Sequence, residues 1–308
     1  MLVSVIIPAY NAAHTIEKTI QSVLNQNYAP MEIIVINDGS TDETEKVVKQ
    51  YQHSIIYVTQ KNAGVSAARN LGYSLAKGDF IQYLDADDML AENKINIQVE
   101  ALLTANADVA YGNWVKFNEG ENTFKEIEVI EKEIIGDAEI ELLTNFWTPL
   151  AAMLYTKRIA DKIGSWNLTL PIIQDARYAL DAAMLGASFI YTPMKVAYYR
   201  VSENKSLSTK NKLAFINDCF ENAKQIDALW RVNYIQSPHR KEAIIKVLRF
   251  CISEFSRLDK SKHSEAINYL LSIEPNYLPN NKGLLHSLSK VFGYKNAEKI
   301  ARIKRRIR

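Results

Sequence analysis

Short apolar runs alternate with amphipathic stretches over the first ninety residues of the chain. Continuous apolar runs are typical of strands buried on both faces, and they occupy residues 3–7, 32–36, 55–58 and 80–84. Between them, apolar residues recur at helical spacing, which predicts helices around residues 16–24, 40–51 and 64–76. The alternation predicts an α/β fold whose Rossmann-like, mostly parallel sheet is flanked by helices.

The pattern changes twice further along the chain. The next segment predicts a helix that begins near Ala91, a strand near Val109 and an exposed charged stretch from Glu119 to Glu133. From about residue 210 helical periodicity dominates, over residues 212–232, 239–258 and 262–273. We therefore expect two domains: an α/β domain over residues 1–209 and a helical C-terminal extension over residues 210–308, which ends in a basic tail.

Composition limits the possible functions without naming one. The 308 residues carry a formal net charge of +2, so net charge gives no argument for a nucleic-acid partner. Cys219 and Cys251 have no metal-ligand partner nearby in sequence and cannot build a disulfide framework. We interpret both as buried small apolar residues, and this cysteine usage fits a reducing cytosol.

Neither a signal peptide nor a membrane span is predicted. Pro8 cuts short the first apolar run, and no later run approaches the roughly 20 apolar residues that span a bilayer. We expect a cytoplasmic protein. Basic residues alternate with isoleucines over residues 299–308, which favours a basic amphipathic helix in peripheral contact with the inner face of the plasma membrane. A frayed, solvated terminus is the alternative.

Polar clusters follow three of the predicted strands. Tyr10 and Asn11 follow the first strand, Asp38-Gly39-Ser40 follows the second, and Asp85-Ala86-Asp87-Asp88 follows the fourth. Ligands of parallel α/β sheets bind beyond the carboxyl ends of the strands. The sequence therefore predicts that three loops converge on one crevice.

The strongest chemical signal is the acidic loop, by which we mean residues 85–88. Three carboxylates within four residues repel one another, and they are tolerated together when a cation neutralises them. Oxygen ligands suit Mg²⁺ or Mn²⁺, which also bridge phosphate oxygens. The alternative is an acidic first turn of the helix expected near Ala91.

Three further residues suit a nucleotide ligand. A buried Asp38 carboxylate could accept a base N–H, and Tyr10 could stack on the base. Arg69 is the only cation of its predicted helix and could reach a phosphate. Each has an ordinary alternative. Asp38 could belong to a turn in which Ser40, at capping-box spacing from Glu43, caps the next helix. Tyr10 could pack in the core, and Arg69 could form a surface ion pair.

A resemblance to a known family rests on residues 3–26, 32–44 and 62–88. In their order, spacing and position at strand ends, these segments resemble the N-terminal half of the family 2 glycosyltransferases, a large inverting group with the GT-A fold. The resemblance is tight over residues 3–90 and looser over residues 147–208. No motif that we can name lies after about residue 210.

The resemblance implies a nucleotide pocket. Pro8, Tyr10 and Asp38 would line the nucleobase pocket, which usually takes uracil. Arg69 would lie beside the base and the diphosphate. Asn37 stands where an aspartate is common in the family, and we expect this departure to cost little because Asp38 keeps the key position.

The resemblance also implies a metal site in the acidic loop. Asp88 would bind the Mn²⁺ or Mg²⁺ that bridges the diphosphate, Asp87 would contact the ribose or the metal, and Asp85 would support the loop. In the family a Tyr-Arg-x-His motif often brings a histidine near the metal and the diphosphate. Here Ser202 stands in the histidine position, which puts a third protein ligand in doubt, whereas Arg200 is able to hold phosphates.

The catalytic base is expected from residues 147–193, which resemble the acceptor region of the family. The second acid of an acidic pair is the usual base there, so Asp175 takes that role, and Gln174 replaces the commoner glutamate. The alternative for Asp175 is a helix N-cap. Trp114, Trp147 and Trp166 are candidates for stacking on an acceptor sugar, and Trp166 is the first choice because it lies just before the base loop. Core packing is the alternative for all three.

The resemblance thus implies an inverting, metal-dependent enzyme that moves a sugar from a nucleotide-diphosphate donor to a hydroxyl of a glycan or lipid-linked acceptor. A UDP-sugar and bacterial cell-surface polysaccharide biosynthesis are expected. A nucleotidyltransferase is one alternative, but it would carry a Gly-rich, Arg-containing phosphate loop, which residues 8–14 lack. A catalytically inactive nucleotide-sugar-binding or assembly protein is the other. Ser202 and Gln174 favour it, and the intact aspartates oppose it.

Overall fold

The computed structural model describes residues 1–120, 123–201, 207–232, 237–280 and 283–307. The chain divides into two compact units, residues 1–206 and residues 207–308, and each unit is described by itself.

The first unit is built on one sheet. Among the described residues its strands are β1 Val3–Ala9, β2 Met31–Asn37, β3 Ile56–Thr59, β4 Phe80–Tyr83, β5 Met89–Leu90, β6 Val109–Gly120, β7 Thr123–Ile130, β8 Met153–Thr156 and β9 Phe189–Arg200. Their order is β3-β2-β1-β4-β8-β6-β9-β5, and β7 pairs with β6. The first four strands are parallel, as their apolar runs predict. The rest of the sheet is mixed, because β8 runs antiparallel to both β4 and β6.

Helices flank this sheet. They are α1 Ile16–Leu24, α2 Thr44–Lys49, α3 Val65–Leu75, α4 Lys94–Ala105, α5 Ala138–Thr144, α6 Lys157–Ile163 and α7 Gln174–Met184. The predicted capping box is wrong. Helix α2 begins at Thr44 without a side-chain bond from Glu43, and the Ser40 hydroxyl accepts instead from the Asn11 amide at 3.0 Å.

The core of the first unit lies on both faces of the parallel strands. All seven residues of β1 are buried, as expected of a central strand covered on both faces. Helix α3 packs closely against β1 and β2 at Gly72, where a Cβ atom would overlap the Ile6 side chain and approach Ile36 Cγ1 to 3.3 Å. This contact fixes α3, and hence Arg69 one turn earlier, against the sheet.

The charged stretch predicted over residues 119–133 contains a strand. Most of it forms β7, which pairs antiparallel with β6, and its side chains are largely exposed, as predicted. Glu119 differs, because its side chain is only 15% exposed. The reason is its ion pair with Arg200, a residue distant in the sequence.

The second unit is helical. Its helices are α8 Leu207–Lys210, α9 Lys212–Val232, α10 Pro238–Leu258, α11 Lys260–Ile273, α12 Leu284–Phe292 and α13 Tyr294–Ile307. Phe220, Leu248 and Phe255 are fully buried at its centre. The Ser237 and Asp259 side chains cap α10 and α11 by accepting backbone N–H bonds.

Two further predictions can be compared with the structure. Cys251 is buried and Cys219 is half-buried, and both are free thiols. Within the described ranges, no helix combines the length and the apolar character that crossing a bilayer requires.

The close packing at Gly72 yields a stability prediction. Gly72→Ala should lower the free energy of unfolding, because overpacking costs about 1–3 kcal/mol against at most about 1 kcal/mol of gained helix propensity. Chemical denaturation followed by tryptophan fluorescence measures the change. Ser74→Ala, at an exposed position of the same helix, is the control and should stay within about 0.5 kcal/mol of the parent. Equal midpoints for the two variants would contradict the packing argument.

Candidate active site

Three loops meet at one edge of the sheet, as predicted. Strands β2, β1 and β4 are neighbours and run parallel, so the segments that follow them emerge side by side. The β1–β4 ladder ends where the Leu84 amide donates to the Ile6 carbonyl at 3.0 Å. Pro8 is buried just beyond this point. Because proline has no N–H to donate, Pro8 cannot extend this ladder to the chain after β4. We call the region beyond the ends of these strands the crevice.

The first two loops are joined by hydrogen bonds. Asn11 adopts a left-handed conformation with φ of 48°, and its side-chain oxygen accepts from the Thr41 amide at 2.8 Å. The Ala13 amide donates to Asp42 Oδ2 at 3.1 Å. Tyr10 precedes this junction and is 52% exposed. The core alternative for Tyr10 is therefore wrong, and its ring is accessible to a ligand.

Asp38 is buried at the end of β2 and anchors the chain before α3. Its Oδ1 accepts from Gln60 Nε2 at 2.7 Å and from the Ala63 amide at 2.8 Å. Its Oδ2 accepts from the Gly64 amide at 2.9 Å. A carboxylate has about four acceptor sites, so three bonds within the protein leave room for one more donor.

Arg69 is the most deeply buried cation of the crevice. It is 1% exposed, and its Nη2 donates to Asp85 Oδ1 at 2.5 Å. Its guanidinium lies 4.5 Å from the centre of the Trp166 ring. The surface ion-pair alternative is therefore wrong. Among the described residues, Nε and Nη1 of Arg69 have no hydrogen-bond partner, an arrangement that suits an anionic ligand.

Asp87 and Asp88 form the acidic pair of the crevice. Asp88 is 2% exposed; burial, followed by repulsion from Asp87 and Asp85, raises its pKa well above the ordinary value. Desolvation and then the charge of Asp85 raise the pKa of Asp87 to about 6, although Asp87 lies at the exposed rim. Helix α4 begins only at Lys94 and has no acid in its first turn, so the helix-dipole alternative is wrong.

Arg200, at the end of β9, contacts the acidic pair directly. Its amide donates to Asp88 Oδ1 at 2.9 Å, and its Nε donates to the Asp87 carbonyl at 2.8 Å. Its Nη1 pairs with Glu119 at 2.7 Å, and Glu119 also pairs with Lys18. This bonding corrects the prediction that Glu119 is an exposed surface acid. Nη2 of Arg200 is buried and unbonded within the described part of the chain.

Asp175 lies in the first turn of α7, and it is not the N-cap, since Ile173 occupies that position. Its Oδ2 accepts from Trp147 Nε1 at 2.9 Å. Burial raises the pKa of Asp175, whereas the bonds from Trp147 and the Ala176 amide and the charge of Arg69 act to lower it. The N-cap alternative is wrong, and the carboxylate is held by a neighbouring indole.

The tryptophans do not have the exposure predicted for sugar stacking. Trp166 is 2% exposed and Trp114 is 4% exposed. The Trp166 ring stacks on Tyr178 with centroids 4.1 Å apart, and Arg69 lies against it. The acceptor role expected for Trp166 is therefore corrected to a core residue that supports Arg69. Trp147 is half-buried and contacts Asp175 instead.

Sequence reasoning missed Tyr199 as a residue of the crevice. Its ring contacts Trp147, the indole that bonds Asp175, with centroids 5.5 Å apart. Burial, followed by the charges of Asp88, Asp87 and Asp175, raises the pKa of Tyr199. Its only sequence signal is its place directly before Arg200. Ser202, the other residue expected near the diphosphate, lies outside the described residues.

The donor set of the acidic loop fits a hard divalent cation. The Asp85 carboxylate pairs with Arg69, which leaves Asp87 and Asp88 as the candidate oxygen ligands. Across the part of the chain that the structure describes, no three His, Cys, Asp or Glu side chains are grouped to hold a metal. Mg²⁺ and Mn²⁺ sites commonly combine one or two carboxylates with water and substrate phosphates, so two protein ligands match this class of site.

The chain is similar to known glycosyltransferases. It is 30% identical over 226 residues to the UDP-Glc:alpha-D-GlcNAc-diphosphoundecaprenol beta-1,3-glucosyltransferase WfgD of Escherichia coli. This match covers 72% of this chain and 87% of WfgD. It is 37% identical over 125 residues to the glycosyltransferase GlyA of Streptococcus pneumoniae serotype 4, over 40% of this chain. The match spans only 18% of GlyA.

The fold and the family follow from two further matches. The structure of S. aureus TarS 1–349 in complex with UDP-GlcNAc superposes with a TM-score of 0.68 at 16% identity, over 99% of this chain and 92% of that one. The fold is therefore GT-A, with a helical C-terminal region. Residues 4–165, more than half of the 308, match the sequence profile described as "Glycosyl transferase family 2". On this evidence the chain is a glycosyltransferase and belongs to glycosyl transferase family 2.

Proposed function

We propose that this enzyme transfers a sugar from a UDP-sugar to a hydroxyl of a lipid-linked or glycan acceptor, with inversion at the anomeric carbon. The observation that carries the proposal is the placement of Arg69 and Arg200. Arg69 is buried and Arg200 is partly buried beside the acidic loop, and each keeps buried guanidinium N–H groups that are unbonded within the described residues. Guanidinium groups recognise phosphate oxygens in a fixed geometry, so a diphosphate supplies the missing acceptors.

The nucleoside would lie over the first two loops. Asp38 keeps one acceptor position for a base N–H, the exposed ring of Tyr10 would stack on the base, and Pro8 would close the pocket from below. WfgD is named for a UDP-glucose donor and the related TarS structure contains UDP-GlcNAc. Both names support uridine as the nucleoside.

Asp87 and Asp88 would hold a Mn²⁺ or Mg²⁺ ion. When bound, this ion supplies Lewis-acid stabilisation of the negative charge that develops on the diphosphate leaving group. The residues of the chain complete that stabilisation. Arg69 and Arg200 would donate hydrogen bonds to the same phosphates, and the Arg200 amide holds Asp88 in place.

Asp175 would act as the general base. Its carboxylate would take the proton of the acceptor hydroxyl as the hydroxyl oxygen attacks the anomeric carbon. Attack opposite the diphosphate forms the new glycosidic bond as the bond to the diphosphate breaks, so the configuration inverts. This route needs one base and no second catalytic carboxylate, unlike that of a retaining glycosidase.

The acceptor proposal rests on the relatives. WfgD is named for an acceptor that is a sugar linked through diphosphate to undecaprenol. A lipid-linked acceptor would bring this enzyme to the inner face of the plasma membrane, within cell-surface polysaccharide biosynthesis. The inactive donor-binding alternative, which Gln174 favoured, does not agree with membership of a glycosyltransferase family.

The base assignment predicts separate effects on binding and turnover. Asp175→Asn should lower the transfer rate by about 10²–10⁴-fold, the usual contribution of a general base. Its affinity for UDP should stay within about twofold of the parent, because Asp175 is not among the residues assigned to the donor. Transfer assays and calorimetry measure the two quantities. Parent-like turnover in this variant would rule out Asp175 as the base.

The Trp147 hydrogen bond predicts a change in pH dependence. Transfer should fall with decreasing pH as Asp175 becomes protonated, at a pH above the ordinary range because burial raises its pKa. Trp147→Phe removes a bond that lowers this pKa, so the acid limb of kcat/KM should move to higher pH. The alkaline plateau should fall by less than about tenfold. A lower plateau with an unmoved limb would assign Trp147 a purely structural role.

The metal proposal predicts the loss of metal-dependent binding. Asp88→Asn keeps the size of the side chain and an acceptor for the Arg200 amide but removes the charge. We expect Mn²⁺ to strengthen UDP binding by the parent and to have little effect on the variant. Asp161→Asn, which changes an exposed carboxylate on α6, is the control and should behave as the parent. An equal response to Mn²⁺ in the parent and Asp88→Asn would contradict the assignment.

A further inference from the structure

A pocket lies within the second unit, between α11 and α13. Its volume is about 340 Å³, and its lining includes four cations, Lys260, Lys295, Lys299 and Arg302. Ile267 and the ring of His263 complete much of the wall. The residues assigned to the crevice all belong to the first unit, so the proposed transfer reaction assigns these cations no role.

The positive charge of this pocket is not neutralised from within. Among the described residues, none of the four cations forms an ion pair with an acidic side chain. The described partner of Lys295 is neutral: its Nζ donates to Asn268 Oδ1 at 2.9 Å. The buried Glu298 carboxylate is not part of the lining, and it pairs with Arg249 at 2.7 Å. Four like charges around one concave space repel one another unless an anion joins them.

Two polar groups of the lining are buried and unbonded. His263 is 3% exposed, and within the described ranges its Nε2 has no hydrogen-bond partner. Glu298 Oε2 lies 3.8 Å from this nitrogen, beyond hydrogen-bond distance. Arg302 is fixed by its Nε, which donates to the Ser256 carbonyl at 3.1 Å. Nη2 of the same guanidinium is buried and makes no hydrogen bond to any described residue. Buried polar atoms of this kind usually have a partner.

We propose that this pocket binds a phosphate-type anion. Lys260, Lys295 and Lys299 would supply the charge, and Arg302 would supply a directed donor. His263 Nε2 would complete the site from the buried side. The ligand chemistry is a phosphate or diphosphate group, carried by a membrane lipid headgroup or by a soluble molecule. The inference is independent of the donor crevice and of the proposed transfer reaction.

The test compares two full-length double variants that each remove two positive charges. Lys295→Gln with Lys299→Gln changes two exposed residues of the pocket. Lys162→Gln with Lys290→Gln is the control, since these exposed lysines do not line the pocket. Inorganic pyrophosphate is titrated calorimetrically in the presence of a chelator, which suppresses any metal-dependent binding in the crevice. We expect binding by the parent and the control, and binding at least about tenfold weaker by the pocket variant.

Flotation identifies the source of the anion. Vesicles of phosphatidylglycerol in phosphatidylcholine are compared with vesicles of phosphatidylcholine alone. A lipid headgroup is supported as the ligand if the parent and the control float with the anionic vesicles and the pocket variant does not. Pyrophosphate binding without such flotation supports a soluble phosphate. Failure of the parent to bind either probe, or equal binding by the pocket variant, overturns the proposal.

UDP binding with Mn²⁺ keeps this inference separate from the proposed function. The pocket variant should bind UDP as the parent does, because its changes lie outside the crevice. Loss of UDP binding in the pocket variant would instead show that the substitutions disturb the whole protein. The double variant Lys295→Arg with Lys299→Arg then repeats the pyrophosphate titration with both positive charges retained. Pyrophosphate binding equal to that of the parent would support the requirement for positive charge at these two positions.

Discussion

The buried guanidinium of Arg69 is the constraint on which the crevice depends. A buried charge is tolerated only when it is paired, and Asp85 provides that pairing at 2.5 Å while Trp166 covers the guanidinium plane. The ion pair joins α3 to the acidic loop, and close packing at Gly72 fixes α3 on the sheet. The charge of Arg69 also acts on Asp175. One side chain thus links the regions proposed for donor binding and for catalysis.

The aspartates of the acidic loop have two different roles in this arrangement: Asp85 pairs with Arg69, and Asp87 and Asp88 are proposed to bind a cation. Asp85 is used within the protein to hold Arg69, which leaves Asp87 and Asp88 for a cation. The pKa values of Asp87 and Asp88 stay raised because desolvation and the negative charge of Asp85 outweigh the opposing charge of Arg200. A bound cation would offset both. The acidic loop is therefore costly for the isolated chain and suited to a ligand-bound state.

Much of this was predictable from the sequence, because it depends on local patterns. Apolar runs identified the parallel strands, and the polar residues after Ala9, Asn37 and Leu84 identified the crevice, since parallel strands end at one edge. The predictions that were wrong concern side chains whose environment depends on tertiary partners, which no local pattern encodes. Glu119 lies in a charged run yet pairs with Arg200, and Trp166 stands near the base loop yet packs in the core. The hydroxyl of Ser40 had a closer partner in another loop than in its own helix.

The central claim is that the crevice binds a nucleoside diphosphate together with a divalent cation. Calorimetric titration of the parent chain with UDP, GDP and dTDP, each with Mn²⁺ and with a chelator, tests it most directly. The account predicts that UDP binds in the presence of Mn²⁺ and that the chelator weakens this binding by tenfold or more, about 1.4 kcal/mol. Absence of binding by all three nucleotides, or equal affinity with the chelator, would contradict it.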